Sequence, residues 1–247
     1  MDTIRIYMGE GPIDAYFISS ILDYFNGINY DEIKHHHKFM IIDDNKKLLN
    51  NKRGINTIHD YLTKEYIYYK IKNTYKLLVY GDNGKDTIID NVLPTFFKII
   101  GNTPEPINMK ILSILDEDGV SSEIVLNKIH EKLNARGLNI EEEFNIQSHN
   151  GYILIQIKED IRHSVEIFVF QIPDSLEKQL VRKSIDKFNI SKNEANKLLS
   201  KDPHDSLKII RERKNLEVEE FVKKVISENW FEGEEWYKDL INFIQTV

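Results

Sequence analysis

The chain has 247 residues, of which 41% are hydrophobic and 30% charged, a composition typical of a folded globular protein. It contains no cysteine, which excludes disulfide bonds and thiolate metal sites. No apolar run approaches the roughly 20 residues of a membrane span, and the amino terminus lacks a signal-peptide pattern, so we expect a cytoplasmic protein. The net charge of −7 disfavours broad non-specific binding of nucleic acid, although a local basic patch or a bridging metal ion would still admit a phosphate.

The first elements in the chain are a strand and a helix with almost no connection between them. Residues 3–8 alternate and include β-branched and aromatic side chains, which predicts a strand. Apolar residues from Asp14 onward recur at helical spacing, and Gly11-Pro12 marks the break before the first helical turn. Glu10 is therefore expected at the carboxyl end of a strand, in the crevice where open α/β sheets bind ligands. The alternative is a solvated loop glutamate.

Residues 28–75 interrupt this alternation of strands and helices, and we interpret them as an insertion. Apolar and aromatic residues over 55–69 recur at helical spacing, which predicts a helix there. His35–His37 stand in a polar connector. Three consecutive histidines cannot all face one site in regular structure, so we favour a connector over a metal site.

Strand and helix patterns alternate again after the insertion. Two apolar runs, at 76–80 and from Ile107 up to the three acids at 116–118, predict buried strands. A Gly-rich turn and a helix from about Thr87 follow the first of them, and a helix with Ser121 or Ser122 as its cap follows the second. The rest of the chain is then predicted to form a hairpin around Asn150-Gly151, a strand that ends at Pro173, and helices to the carboxyl terminus with short breaks at Asp202-Pro203 and near Gly233.

Acidic residues follow the second apolar run directly. Asp116 and Asp118 stand where that strand is expected to stop, and strand alternation would put their side chains on the same side of an extended backbone. Two close carboxylates repel each other unless a cation lies between them, and ligands that are all oxygen suit Mg²⁺ or Mn²⁺ better than zinc. In a parallel sheet, Glu10 would face the same crevice. The alternative is a solvated turn, where Asp and Gly are common.

These motifs resemble the Toprim domain, which is shared by primases, type IA and type II topoisomerases and OLD-family nucleases. The family pattern is a Glu-Gly after the first strand and an Asp-x-Asp after a later one, and Glu10-Gly11 and Asp116-x-Asp118 match it. The turn containing Gly81, Gly84 and Lys85 is similar to the glycine-lysine turn of small Toprim proteins. Glu177 stands where such relatives often have another glutamate before a helix.

The resemblance implies an α/β fold, a Rossmann-like, mostly parallel central sheet flanked by helices, and phosphodiester chemistry with bound Mg²⁺ or Mn²⁺. Asp116 and Asp118 would be metal ligands, and Glu10 would be a third ligand or the general acid/base. Lys85, with the backbone of Gly84, would contact a phosphate, or else be merely solvated. Glu177 would be a ligand of a second metal ion, or an ordinary acid in a first helical turn.

Two domains and two classes of function follow as expectations. Residues 1–182 would form the Toprim-like domain, and residues 183–247 a helical extension that packs on it or forms a homodimer contact. The first functional hypothesis is a metal-dependent enzyme, most plausibly a nuclease, acting on DNA or RNA. The second is a Toprim fold kept as a non-catalytic binding or scaffold module. Neither hypothesis includes a membrane partner.

Overall fold

A seven-stranded sheet runs through the centre of the protein in the computed structural model. Its strands are β1 (Thr3–Gly9), β2 (Tyr69–Ile71), β3 (Tyr75–Gly81), β4 (Ile107–Asp116), β5 (Asn145–Gln147), β6 (Tyr152–Ile157) and β7 (His163–Ile172). The structure describes residues 3–26, 69–71, 75–81, 84, 86, 89–90, 107–134, 145–147, 152–157 and 163–246. The predicted insertion therefore lies outside the described residues, apart from β2 and the first residue of β3.

The strands lie in the order β2-β3-β1-β4-β7-β6-β5. Three parallel pairings join β3 to β1, β1 to β4 and β4 to β7, whereas β2, β5 and β6 pair antiparallel at the two sides of this parallel centre. The α/β class with parallel strands flanked by helices is thus confirmed. The two strands of the predicted hairpin are confirmed as well, because β5 and β6 pair antiparallel with Gln147 opposite Tyr152; its turn at Asn150-Gly151 lies outside the described residues.

The strand order reverses direction between β1 and β4. From β1 the chain proceeds to β3 on one side, and later returns to place β4 on the other side of β1. Such a reversal separates the loops that follow the two strands and opens a crevice beyond their carboxyl ends. Register places Gly9 opposite Ile114, so β1 ends two residues before β4 does, at the same edge of the sheet.

Seven helices complete the described part of the chain. They are α1 (Pro12–Asn26), α2 (Ser122–Asn134), α3 (Leu176–Lys187), α4 (Lys192–Leu199), α5 (Pro203–Arg213), α6 (Val218–Ser227) and α7 (Glu235–Thr246). Ser121 caps α2, because its hydroxyl accepts a hydrogen bond from the Ile124 N–H. Asp202 caps α5 in the same way through the N–H groups of His204 and Asp205.

The central strands are apolar on both faces because helices cover both. In β4, Leu112 and Ile114 belong to the main core with α1 and the carboxyl-terminal helices. Their neighbours Ile111 and Leu115 are equally buried, and strand alternation directs them to the opposite face, where α2 contacts β7 and β6. Continuous apolar runs of this kind are typical of parallel strands buried on both sides.

The carboxyl-terminal helices pack on the sheet domain through aromatic side chains. Phe231, between α6 and α7, is fully buried, and its ring lies 6.0 Å from that of Phe17 in α1 and 5.5 Å from that of Tyr237 in α7. Helix α6 lies along α1. Within the described ranges, no helix is both long enough and apolar enough to span a bilayer.

The helix predicted over residues 55–69 is wrong at its carboxyl end. The helical spacing over 55–69 includes Tyr69, but Tyr69–Ile71 form β2, which pairs antiparallel with β3. The open edge of β3 supplies hydrogen-bond partners that outweigh a local helical pattern, and tyrosine and isoleucine suit an extended backbone. The remainder of that predicted helix lies outside the described residues.

Candidate metal centre

Three acidic side chains meet in the crevice between β1 and β4. Glu10 directly follows β1, Asp116 is the last residue of β4, and Asp118 lies in the turn after it. One carboxylate oxygen from each residue lies within 4.8 Å of the other two. Glu10 and Asp116 are half-buried and Asp118 is exposed, so the group opens to solvent on one side.

Glu10 is held by the backbone of the neighbouring strand. Its Oε1 accepts a hydrogen bond of 2.7 Å from the Asp116 N–H, so the carboxylate is tied to the residue whose side chain it approaches. The Glu10 carbonyl also accepts a 2.8 Å bond from the Gly84 N–H. Both contacts arise because β1 lies between β3 and β4 in the sheet, and they fix Glu10 at the end of β1.

Asp116 is held by the start of α3. Its Oδ1 accepts a 2.9 Å hydrogen bond from the N–H of Leu176, the first residue of that helix. A helix amino terminus presents unpaired N–H groups and a partial positive charge, both of which stabilise a carboxylate. This bond uses Oδ1 only, and through it helix α3 orients the Asp116 side chain.

Asp118 reaches the site by a different route from the one that the sequence predicted. It does not lie in extended backbone: its φ is +44°, and a turn has already begun after Asp116. The turn is held to the end of β7, where the Glu117 N–H donates to the Ile172 carbonyl at 2.9 Å and the Asp118 N–H to the Asp174 carbonyl at 3.2 Å. The expected proximity of Asp116 and Asp118 is correct, whereas the expected reason, strand alternation, is wrong.

The crevice makes ionisation of Asp116 costly. Burial raises the pKa of Asp116 to about 7, against the Leu176 hydrogen bond, which lowers it; the nearby charges of Glu177, Glu10 and Asp118 raise it further. A carboxyl group with such a pKa exchanges a proton near neutral pH. A bound cation would relieve the repulsion among these carboxylates.

Glu177 lies in the first turn of α3, beside this group. Burial raises the pKa of its carboxyl group, the repulsion of Asp118 and Asp202 adds to that effect, and His204 at the start of α5 opposes it. The structure thus brings Glu177 within electrostatic reach of Asp116, although it is not one of the three residues whose oxygens lie within 4.8 Å of one another. Its role as a ligand of a second metal ion stays a prediction.

Asp14 is an acidic residue near the site that the sequence reasoning missed. Its side chain is only 3% exposed, and Oδ2 accepts a 2.7 Å hydrogen bond from the Gly11 N–H, which closes the first turn of α1. Burial raises the pKa of Asp14 well above its ordinary value, and the charges of Glu177 and Asp116 raise it further. The position was detectable in principle, because an acid three residues after Gly11 completes half of a capping box.

Gly9 allows Asp14 to occupy this position. A Cβ on Gly9 would lie 2.2 Å from the Asp14 Cβ, so only glycine permits α1 to begin so close to the end of β1. Gly84 has a φ of +99° and is half-buried, and it contacts the site through its N–H. Lys85 and His35–His37 lie outside the described residues.

The three acids form a chemically suitable cation site. All the donors are oxygen atoms, which suit Mg²⁺ and Mn²⁺. One oxygen from each acid lies within 4.8 Å of the other two, so the three residues are candidate ligands of one ion. Comparisons with protein-family models, curated proteins and solved structures found no match.

Proposed function

We propose that this protein is a Toprim-like enzyme that uses Mg²⁺ or Mn²⁺ for phosphodiester chemistry on nucleic acid, with hydrolysis as its reaction. The observation that supports the proposal is the meeting of Glu10, Asp116 and Asp118 at the point where the strand order reverses. Open α/β sheets bind their ligands at this point, and the residues there are the ones that match the Toprim motifs.

The residues have separable roles in this proposal. Asp116 and Asp118 would hold the cation, which when bound supplies positive charge to neutralise the phosphate. Glu10 is either the third ligand or the group that moves a proton to or from the reacting oxygen. Glu10 Oε1 already accepts a hydrogen bond from the Asp116 N–H, and this bond fixes the direction of Glu10 Oε2. The Leu176 N–H at the start of α3 holds Asp116 in place.

The test is a double substitution of the two aspartates. Asp116→Asn/Asp118→Asn keeps the shape of both side chains and removes two negative charges. We expect it to abolish binding of Mg²⁺ and Mn²⁺ in calorimetry, and to lower the cleavage rate of labelled DNA and RNA, single- and double-stranded, by more than about 100-fold.

The matched control is Glu235→Gln/Asp239→Asn, which removes two carboxyl groups from α7, away from the crevice and from α3–α5. This variant should bind the metal and cleave as the wild type does. Full turnover by the Asp116/Asp118 variant would refute the enzymatic proposal. Metal binding by the wild type without cleavage of any substrate would instead support the non-catalytic scaffold.

A further inference from the structure

The charges of the carboxyl-terminal helices are sorted along the chain. Residues 176–214, which include α3, α4 and α5, have eleven lysines and arginines against six acidic residues, a formal charge of +5. Residues 215–247, which include α6 and α7, have three basic residues against eight acidic ones, a charge of −5. Basic residues are therefore in excess over residues 176–214 in a protein whose overall charge is −7.

Many of the cations on α3–α5 point into solvent. Lys192, Lys197, Lys201 and Lys208 are exposed. In the part of the chain that the structure describes, no acidic side chain lies within ion-pair distance of these four lysines, whereas Arg213 pairs with Glu194 and Lys183 with Glu234. Unpaired surface lysines at this density produce a positive potential that attracts polyanions.

This basic surface adjoins the candidate metal centre on the α3 side. Arg182 contacts the Asp174 carboxylate at 2.7 Å and Lys178 contacts it at 3.7 Å. The Asp174 carbonyl in turn accepts the Asp118 N–H. Lys178 and Arg182 therefore contact a residue, Asp174, whose backbone is hydrogen-bonded to the candidate metal ligand Asp118.

The surface adjoins the centre on the α5 side as well. His204 lies in the first turn of α5 and acts electrostatically on Glu177. Lys208 and Arg211 follow His204 at spacings of four and three residues, so they share one face of α5. The helical rise places them about 6 Å and then about 4.5 Å further along the axis. This face leads away from the acidic group.

We infer that the exposed surface of α3–α5, with Lys197, Lys201 and Lys208 at its centre, binds the phosphate backbone of the nucleic acid whose phosphodiester reaches the acidic crevice. The inference rests on the proposed function for the identity of the polyanion. The binding itself requires neither metal nor turnover, because lysine–phosphate contacts depend on charge alone. The acidic α6 and α7 would lie outside the contact, since they would repel phosphates.

The experiment measures binding separately from cleavage. Fluorescence anisotropy would follow labelled DNA and RNA oligonucleotides with the full-length Asp116→Asn/Asp118→Asn protein in a chelating buffer, between about 50 and about 200 mM salt. On that background, Lys197→Gln/Lys201→Gln/Lys208→Gln should weaken binding at least about tenfold. It should also reduce the slope of log affinity against log salt by about 3, one for each lost phosphate contact.

The matched control is Lys223→Gln/Lys224→Gln/Lys238→Gln, which removes three lysines from α6 and α7. It should bind as the background protein does. Circular dichroism and thermal melting would verify that both triple variants are folded.

Three results would overturn the inference. The first is absence of oligonucleotide binding by the background protein at the lowest salt. The second is an equal effect, or none, of the two triple variants. The third is binding to phosphatidylserine vesicles in place of oligonucleotides, which would assign the surface to a membrane. If the α3–α5 lysines govern binding but the two aspartates prove irrelevant to metal and cleavage, the inference holds and the proposed function fails.

Discussion

The Asp116 carboxyl group accepts a hydrogen bond from the Leu176 N–H, and the Asp116 N–H donates one to Glu10. This one residue therefore connects β1, β4 and α3 at the site. Burial and three neighbouring carboxylates raise its pKa to about 7, and they outweigh the hydrogen bond from the helix amino terminus, which lowers it. At the residue scale, the site is a group of acids that the fold forces together.

Cation binding should depend on pH through Asp116. A carboxyl group with a raised pKa is mostly protonated below that pKa, and a cation must displace its proton. Between about pH 6 and about pH 8, the ionised fraction of a group with a pKa of about 7 rises about tenfold. We expect the Mn²⁺ affinity measured by calorimetry to rise about tenfold over that range.

The control for this prediction is Asp116→Asn, which should bind weakly with little dependence on pH. Heats measured in buffers of different ionisation enthalpy should show a proton released by the wild type on binding. Equal wild-type affinities at the two pH values would contradict a protonated Asp116.

At the element scale, the start of α1 depends on a pair of residues that are close in sequence. Gly9 leaves space for the Asp14 side chain, and Asp14 accepts the Gly11 N–H. This contact lets a helix begin three residues after a strand ends, and it leaves Glu10 in the intervening turn. Glu10 is therefore positioned by the cap of the adjacent helix α1.

Replacing Asp14 should separate its capping role from its charge. Asp14→Ala removes the acceptor of a partly buried hydrogen bond and the cap, so we expect the free energy of unfolding to fall by about 1–3 kcal/mol in urea denaturation. Asp14→Asn keeps an oxygen acceptor and carries no charge to bury, so it should retain most of the stability. Asparagine as damaging as alanine would show that the carboxyl group itself is required.

At the scale of the whole molecule, one core joins the sheet to the carboxyl-terminal helices. Residues of β1, β4, β7 and α1 belong to the same buried cluster as residues of α3, α6 and α7. Phe231 lies in that cluster against Phe17 and Tyr237. The acidic helices α6 and α7 therefore support α1, while the starts of α3 and α5 lie beside the crevice.

Truncating Phe231 should destabilise the whole protein and not only the helices around it. Phe231→Ala leaves a cavity in the shared core, so we expect the free energy of unfolding to fall by about 3–5 kcal/mol. Urea transitions followed by far-ultraviolet circular dichroism and by tryptophan fluorescence should shift together. Leu199→Ala, at a side chain 54% exposed, should change stability by less than about 0.5 kcal/mol. Separate transitions for the two probes would contradict a single core.

Sequence patterns were enough to predict the α/β class, the strands before Asp116 and before Pro173, the paired strands of the hairpin, and the three acids of the candidate site. Local patterns suffice there, because apolar runs, caps and acids at strand ends depend on neighbours in sequence. The Toprim resemblance, the bound metal and the role of Lys85 stay predictions.

Other features could not be predicted from the sequence, because they depend on contacts between distant segments. The open edge of β3 converted Tyr69–Ile71 to a strand. The end of β7 held the turn that brings Asp118 back toward Asp116. Burial of Asp14 and the position of the starts of α3 and α5 beside the crevice followed from packing onto the sheet, and no periodicity in the sequence encodes such packing.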